Sequence, residues 1–204
     1  MVRIYFCDAC KFCGCYEKLL ALITEERRNK ANRLLKDEDK MLSALSGAML
    51  GKVFGNNESL LYNEHGKPYF EHGKRFSLSH SKNLAVLAVS DFEIGVDAET
   101  PKSVNESVMC RCFTEEEINF VSGSPENFAR IWTLKEAAVK LLGKGITFPL
   151  KSFSVLPFDG ERTVGGTKMS FFTTIIMGVP VSVAFDPRER EFEIKEFEPE
   201  EIIG

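Results

Sequence analysis

The sequence predicts a mixed α/β (α+β) fold, and three stretches carry that prediction. From Asn127 onward, NFARIWTLKEAAVKLLGKG places Phe128, Ile131, Trp132, Ala138, Val139 and Leu142 on one arc of a helix. Between residues 76 and 99, FSLSHS, LAVLAV and EIGVDAE follow one another with strand-like patterns. Beyond Gly145, LKSFSVLPF, KMSFFTTIIM, VPVSVAFD and REFEIKEF read as further strands, separated by Gly and Pro turns.

At 204 residues the chain is one large domain or two small ones, with ample material for a core. Its 17 Phe make aromatic burial a main part of that core. A net charge of −4 argues against a general nucleic-acid binder, which needs a basic surface. No apolar run is long enough to span a bilayer, and Arg3 is not followed by a signal-peptide core, so we expect a soluble, cytoplasmic protein. In that compartment the 6 cysteines are thiols. Cys7, Cys10, Cys13 and Cys15 form a CxxCxxCxC run that resembles a zinc or iron–sulfur ligand set. No second ligand cluster is obvious and Cys7 falls in an expected strand, which favours plain thiols.

In chain order, VRIYFCD (2–8) is β-prone and reads as a strand. Leu19, Leu20, Leu22 and Ile23 supply an apolar patch. Thr24 can cap a helix whose first turn carries Glu25 and Glu26, as the helix dipole favours. That helix bears Arg27, Arg28, Lys30 and Arg33, which form either a solvated basic face or a cradle for a phosphorylated ligand. Asp37 or Asp39 caps a second helix with Leu42, Leu45, Met49 and Val53 on one face. A loop follows through Gly55, Asn56 and Asn57. NEHGKPYF then brings Gly66, which lets backbone approach a ligand, and Pro68, which stiffens the segment.

FSLSHS (76–81) alternates as a half-buried strand does, and LAVLAV (84–89) suggests a strand covered on both faces. EIGVDAE (93–99) is the third strand of this group. Ile94, Val96 and Ala98 point one way, and Gly95, Asp97 and Glu99 the other. Asp97 and Glu99 are thus separated by ~6.6 Å of strand rise. Carboxylates so placed repel unless a cation lies between them, and hard oxygen ligands suit Mg²⁺. The alternative is an edge strand ending in solvated acids. After Pro101, both Ser103 to Glu106 and Thr114 to Glu117 fit a capping box, and Phe113 with Ile118 fits a hydrophobic staple.

In the helix from Asn127, Gly143 supplies the stop. Glu136 and Lys140 sit side by side at the edge of the apolar arc, while Lys135 lies inside it. Two cations and a carboxylate at the margin of a buried face point to a phosphate-and-metal site. The competing reading is a surface Glu–Lys pair with a snorkelling lysine.

FSLSHS, GVDAE and WTLKEAAVKLLGKG, in this order and spacing, resemble the signatures of the Sfp-type 4′-phosphopantetheinyl transferases. The upstream GKPY and the basic helix add to the resemblance, which covers about residues 5 to 153. It implies two similar α/β halves, 1–100 and 101–204, related by a pseudo-twofold axis, with the boundary near residues 100–103 and the site in the cleft between them. It implies transfer of the 4′-phosphopantetheine arm of coenzyme A to a serine of an apo acyl or peptidyl carrier protein, with release of adenosine 3′,5′-bisphosphate, by a monomer.

By resemblance, Asp97, Glu99 and Glu136 hold Mg²⁺ against the pyrophosphate. Glu136 is also the candidate base for the serine proton, and Lys140 neutralises charge growing on the pyrophosphate. Lys135 orients or screens the same carboxylates. Ser79 and His80 contact phosphates of coenzyme A, and Gly66, Lys67 and Pro68 its adenine end. Arg27, Lys30 and Ser43 match positions that grip the 3′-phosphate. Carrier-protein docking would use Val104, Val108, Met109 and Phe113, unless these are simply core.

Three departures stand out. Ala98 replaces a larger residue between the metal carboxylates, Leu42 stands where many relatives carry arginine, and Arg27 replaces lysine, which keeps charge but changes geometry. Two rival functions are a Mg²⁺-dependent nucleotide phosphohydrolase and a non-catalytic module that binds coenzyme A or a carrier protein. The intact acid set with Lys140 argues against the second. No P-loop, HExxH or complete GxGxxG is present.

Overall fold

The computed structural model describes residues 1–55 and 59–204. Strand β1 (Val2–Asp8) is followed by a short 3-10 turn (Ala9–Phe12), then α1 (Tyr16–Ala21), α2 (Glu25–Asn32) and α3 (Asp37–Phe54). A small hairpin of β2 (Leu61–Tyr62) and β3 (Pro68–Tyr69) leads into β4 (Arg75–Ser81), β5 (Leu84–Ser90) and β6 (Ile94–Ala98). Helices α4 (Glu106–Cys112), α5 (Glu115–Val121) and α6 (Pro125–Leu142) come next. Then follow β7 (Glu161–Val164), β8 (Thr167–Ile176), β9 (Val179–Phe185), β10 (Phe192–Glu196) and α7 (Pro199–Ile203). The mixed α/β class is as expected. Past Gly55, the loop expected through Asn56 and Asn57 lies outside the described residues.

Two four-stranded sheets form the centre, in the orders β10-β1-β5-β4 and β6-β9-β8-β7. Leu84, Val86 and Ala88 of β5 face Val96 of β6 and Val181 and Val183 of β9 in one apolar cluster between the sheets. The alternate β5 residues Ala85, Leu87 and Val89 pack with Leu45 and Met49 of α3. Strand β5 is therefore covered on both faces, which is why its run is apolar throughout. On the far side of the second sheet, Ala137, Ala138 and Leu141 of α6 pack on Met169 of β8 and Ala184 of β9. The layers run helix, sheet, sheet, helix.

Sheet membership crosses the division expected at residue 100. Strand β6 pairs with β9, and β10 returns to pair in parallel with β1. The three strands expected to form one group are thus split: β4 and β5 pair, and β6 stands in the other sheet. Strands β4 and β6 meet through side chains instead of a backbone ladder. The hydroxyls of Ser77, Ser79 and Ser81 accept from the amides of Val96 (3.0 Å), Ala98 (3.2 Å) and Thr100 (2.9 Å). An edge strand needs acceptors for its amides, and alternate serines on one strand face supply them at the right repeat.

Local signals at helix ends fared unevenly. Thr24 caps α2 and Thr114 with Glu117 forms a full capping box on α5. Asp37 and Asp39 lie inside the first turn of α3, whose N-cap is Lys36. The box expected from Ser103 does not form, because Asn105 caps α4 by accepting from the Val108 amide. Helix α6 starts at Pro125 behind a Ser124 cap and stops at Gly143, which is left-handed at φ 64°. LKSFSVLPF is not a strand; a 3-10 turn occupies Leu150–Ser152 and the rest is unpaired. Its backbone groups find side-chain partners instead: Lys135 Nζ donates to the carbonyls of Leu150 and Phe153, and Glu117 Oε1 accepts from the Val155 amide. No helix of the described residues is long and apolar enough to cross a membrane.

Candidate active site

Gly95 sets the geometry of the site. A Cβ there would lie 2.0 Å from the Ala137 carbonyl oxygen, so α6 rests directly on the backbone of β6. That contact brings Glu136 and Lys140, one helical turn apart, to the strand end that carries Asp97. Lys140 Nζ donates to Asp97 Oδ1 at 2.7 Å, to the Val96 carbonyl at 3.0 Å and to Ser79 Oγ at 3.1 Å. Ala98 points the other way, into the inter-sheet core, as its place in the strand requires.

One cavity of about 1,080 Å³ opens over this junction. Its lining comes from α2 (Arg27, Lys30), α3 (Ser43, Ser46), the segment 65–68 (His65, Gly66, Lys67, Pro68), β4 (Ser79, His80), β6 with the residue after it (Asp97, Glu99) and α6 (Trp132, Glu136, Lys140). Arg111 and Cys112 of α4 complete one wall. Every site residue expected from the sequence lines this cavity except Lys135.

The cavity brings together cations of α2 and α6 with carboxylates of β6 and α6. Arg27 is 8% exposed, and burial pulls its guanidinium below its usual pKa. Burial and then the Arg27 charge pull Lys30 down as well. Neither forms an ion pair with a carboxylate among the described residues, so an anion would relieve both. Gly47 permits this crowding, since a Cβ there would lie 3.0 Å from Arg27 Cδ. On the acidic side, burial raises the carboxyls of Glu136 and Glu99, and the charge of Asp97 adds to both shifts. Desolvation, then the Lys140 ammonium, lowers the His80 imidazole.

These groups form the kind of site where a basic cradle and hard oxygen donors face one bound phosphate ester. Among the described residues no set of three or more His, Cys, Asp or Glu side chains stands ready to hold a metal ion as placed. The chemistry of Asp97, Glu99 and Glu136 nevertheless fits a hard divalent cation: three carboxylates share one cavity, and two of them are held above their ordinary pKa.

The family model of the 4′-phosphopantetheinyl transferase superfamily matches residues 93–175, which include Asp97, Glu99, Glu136 and Lys140. Over that segment the chain resembles this superfamily. It is 28% identical to "4′-phosphopantetheinyl transferase gsp" of Aneurinibacillus migulanus, over 64% of this chain and 60% of that one. It is 28% identical to "4′-phosphopantetheinyl transferase Sfp" of Bacillus subtilis (strain 168), over 72% of this chain and 73% of that one. It is 33% identical to "4′-phosphopantetheinyl transferase HetI" of Nostoc sp., over 64% and 63%.

Two side chains, Lys135 and Lys67, stand differently from expectation, while Leu42 lies in the core as its apolar helix face predicts. Lys135 does not reach the cavity. It is fully buried and pairs with Glu117 at 2.9 Å. Burial lowers its pKa while Glu117 opposes that shift. Lys67 borders the cavity, but its ammonium is spent on Glu93 Oε2 at 2.6 Å and on the Leu141 carbonyl at 2.9 Å. With Asn63, whose Nδ2 donates to the Gly143 carbonyl, it caps the C-terminal carbonyls of α6. Leu42 is a core residue, 3% exposed against α3's apolar cluster, and so is not a substitute for a cavity cation.

Sequence reasoning missed Glu117, Asn63, Ser46 and Arg111. Ser46 follows Ser43 by three residues and so shares its helix face, which was the available signal. Glu117 was read only as a capping residue. Phe113 is fully buried and cannot dock a partner, while Val104, Val108 and Met109 pack partly against the same cluster. The six cysteines are free, with Cys7 buried and Cys10 and Cys13 exposed, so their sulfurs do not share one environment.

Proposed function

We propose that this protein transfers the 4′-phosphopantetheine arm of coenzyme A to a serine hydroxyl of an apo carrier protein. The observation that carries the reading is a single cavity lined by buried Arg27 and by Lys30, neither in an ion pair with a carboxylate among the described residues, together with the three carboxylates Asp97, Glu99 and Glu136. Coenzyme A is long and polyanionic, with phosphates at both its ribose and its pyrophosphate. Arg27 and Lys30, with Ser43, suit the ribose 3′-phosphate, and His80 and Lys140 stand nearer the acids, where the pyrophosphate would lie.

Asp97, Glu99 and Glu136 would hold Mg²⁺, which when bound polarises and neutralises the pyrophosphate. The serine oxygen forms a bond to the β-phosphorus, and the bond from that phosphorus to the bridging oxygen breaks. Adenosine 3′,5′-bisphosphate leaves, and Glu136 takes the serine proton. Burial suits Glu136 to this task, because a raised pKa makes a carboxylate a better base near neutral pH. Lys140 lies one turn along α6 to offset charge that grows on the leaving group. Free thiols agree with a cytoplasmic location, and we take the acting unit to be a monomer.

The test is mass spectrometry of an apo acyl carrier protein incubated with this protein, coenzyme A and Mg²⁺, beside a metal-free control. A metal-dependent gain of one phosphopantetheine arm is expected. Tight binding of coenzyme A without any gain would instead support the binding-module reading.

A further inference from the structure

We propose that Ser46 is a further binding residue, whose hydroxyl donates to the phosphate monoester that Arg27 and Lys30 hold. The inference rests on the reading of those two cations as the seat of the ribose 3′-phosphate. Neither the sequence motifs nor the resemblance gives Ser46 a role.

Ser46 lies on α3, three residues after Ser43, and is 4% exposed. Its hydroxyl is closed to solvent and makes no hydrogen bond among the described residues. Burying a hydroxyl unpaired is unfavourable, and nearly all such groups in folded proteins find a partner. A serine within a helix can bond a carbonyl of the preceding turn, and Ser46 does not. Among the described residues one other buried side-chain atom shares this state, Arg130 Nε. Arg130 is not part of the cavity lining, and its guanidinium rests over the Phe158 ring at 3.6 Å. Ser46, in contrast, lines the cavity.

The cations lie close by. A Cβ on Gly47, the next residue, would come within 3.0 Å of Arg27 Cδ, so the Arg27 stem passes directly over this turn of α3. Arg27 and Lys30 line the same cavity, and neither pairs with a carboxylate among the described residues. A phosphate monoester presents three strongly accepting oxygens. A hydroxyl is a donor that adds no charge, which suits a place where two cations already crowd each other. Turning the serine about its one side-chain torsion re-aims the hydroxyl between staggered positions. The free protein thus carries an unmatched donor that a bound phosphate would match.

The test is Ser46→Ala, read in two measurements that should move in opposite directions. Thermal unfolding without ligand should give an unchanged or higher Tm, since the variant loses an unmet polar group and gains the better helix former. Calorimetry without metal should show the Kd for coenzyme A weakened about tenfold, as for a lost hydrogen bond to a charged group. The Kd for 3′-dephospho-coenzyme A should stay within about twofold. A lower Tm with both Kd values unchanged would make the hydroxyl structural and overturn the proposal. Equal weakening of both ligands would overturn it as well. A native protein that does not favour coenzyme A over its 3′-dephospho form would remove the 3′-phosphate seat and Ser46 with it. Should the native protein bind coenzyme A without transferring it, the transfer reading fails, and the calorimetric comparison still decides the role of Ser46.

Discussion

Lys135 and Glu117 form a fully buried ion pair at 2.9 Å, beneath the wall that closes one side of the cavity. Each partner also serves backbone. Lys135 satisfies the carbonyls of Leu150 and Phe153, and Glu117 satisfies the amides of Thr114 and Val155. Leu150 lines the cavity itself, so the pair shapes the site from behind.

Removing one partner leaves the other charge buried and unpaired. Lys135→Met is therefore expected to destabilise the protein by ~3–5 kcal/mol in urea unfolding. Adding Glu117→Leu should restore only part of the loss, since the backbone groups served by both side chains stay unsatisfied. A single variant within about 1 kcal/mol of the native protein would show that the pair is not retained in solution.

Arg27 and Lys30 are assigned to the 3′-phosphate because both line the cavity, their cations are held below their ordinary pKa, and neither has a carboxylate ion-pair partner among the described residues. Replacing both with Ala should raise the KM for coenzyme A about tenfold or more, as expected for loss of charge-assisted hydrogen bonds. The KM for 3′-dephospho-coenzyme A should change far less. Equal effects on the two substrates would move the 3′-phosphate elsewhere.

Gly95→Ala tests how α6 is seated. The added Cβ would meet the Ala137 carbonyl at 2.0 Å and the Leu141 amide at 2.5 Å, and backbone cannot step aside as a flexible side chain can. A cost of ~3 kcal/mol is expected, at the upper end for overpacking. Transfer should fall even in the folded fraction, because Glu136 and Lys140 ride on the displaced helix. Unchanged stability and turnover would contradict the close approach of α6 to β6.

The cysteines should differ in reactivity. Burial, with Glu196, Glu198 and Glu201 adding to it, pushes the Cys7 thiol up to about 12. A thiol so protonated is a poor nucleophile. Brief maleimide treatment followed by peptide mapping should label exposed Cys10, Cys13 and Cys110 and leave Cys7 untouched until the protein unfolds. Early labelling of Cys7 would mean that β1 opens readily.

Much of the local structure was legible in the sequence, because it depends on near neighbours. Periodicity located α6, Gly143 marked its end, and the apolar run of β5 announced a strand covered twice. The cavity residues were legible for another reason: their types and spacing follow a family pattern. What stayed hidden depended on contacts distant in sequence. FSLSHS alternates, yet its serines face inward, because the edge amides of β6 need acceptors. Lys135 looked misplaced on an apolar arc until Glu117 supplied its counter-charge. LKSFSVLPF has strand-like residues but no strand partner, since side chains of that buried pair take its backbone groups.

The exchange of strands between the sheets bears on how the chain can be divided. Residues 1–100 lack β10, the parallel neighbour of β1, and they carry β6 away from β9, the strand it pairs with. Residues 101–204 in turn hold β10 with nothing to lie against. Neither piece owns a finished sheet, and the cleft exists only where they meet. Two such fragments expressed apart would each leave a sticky, unsatisfied edge, and mixed together each would supply the missing strand of the other. Loss of activity on cutting the chain and its return on recombination would then be one event, the closing of both sheets at once.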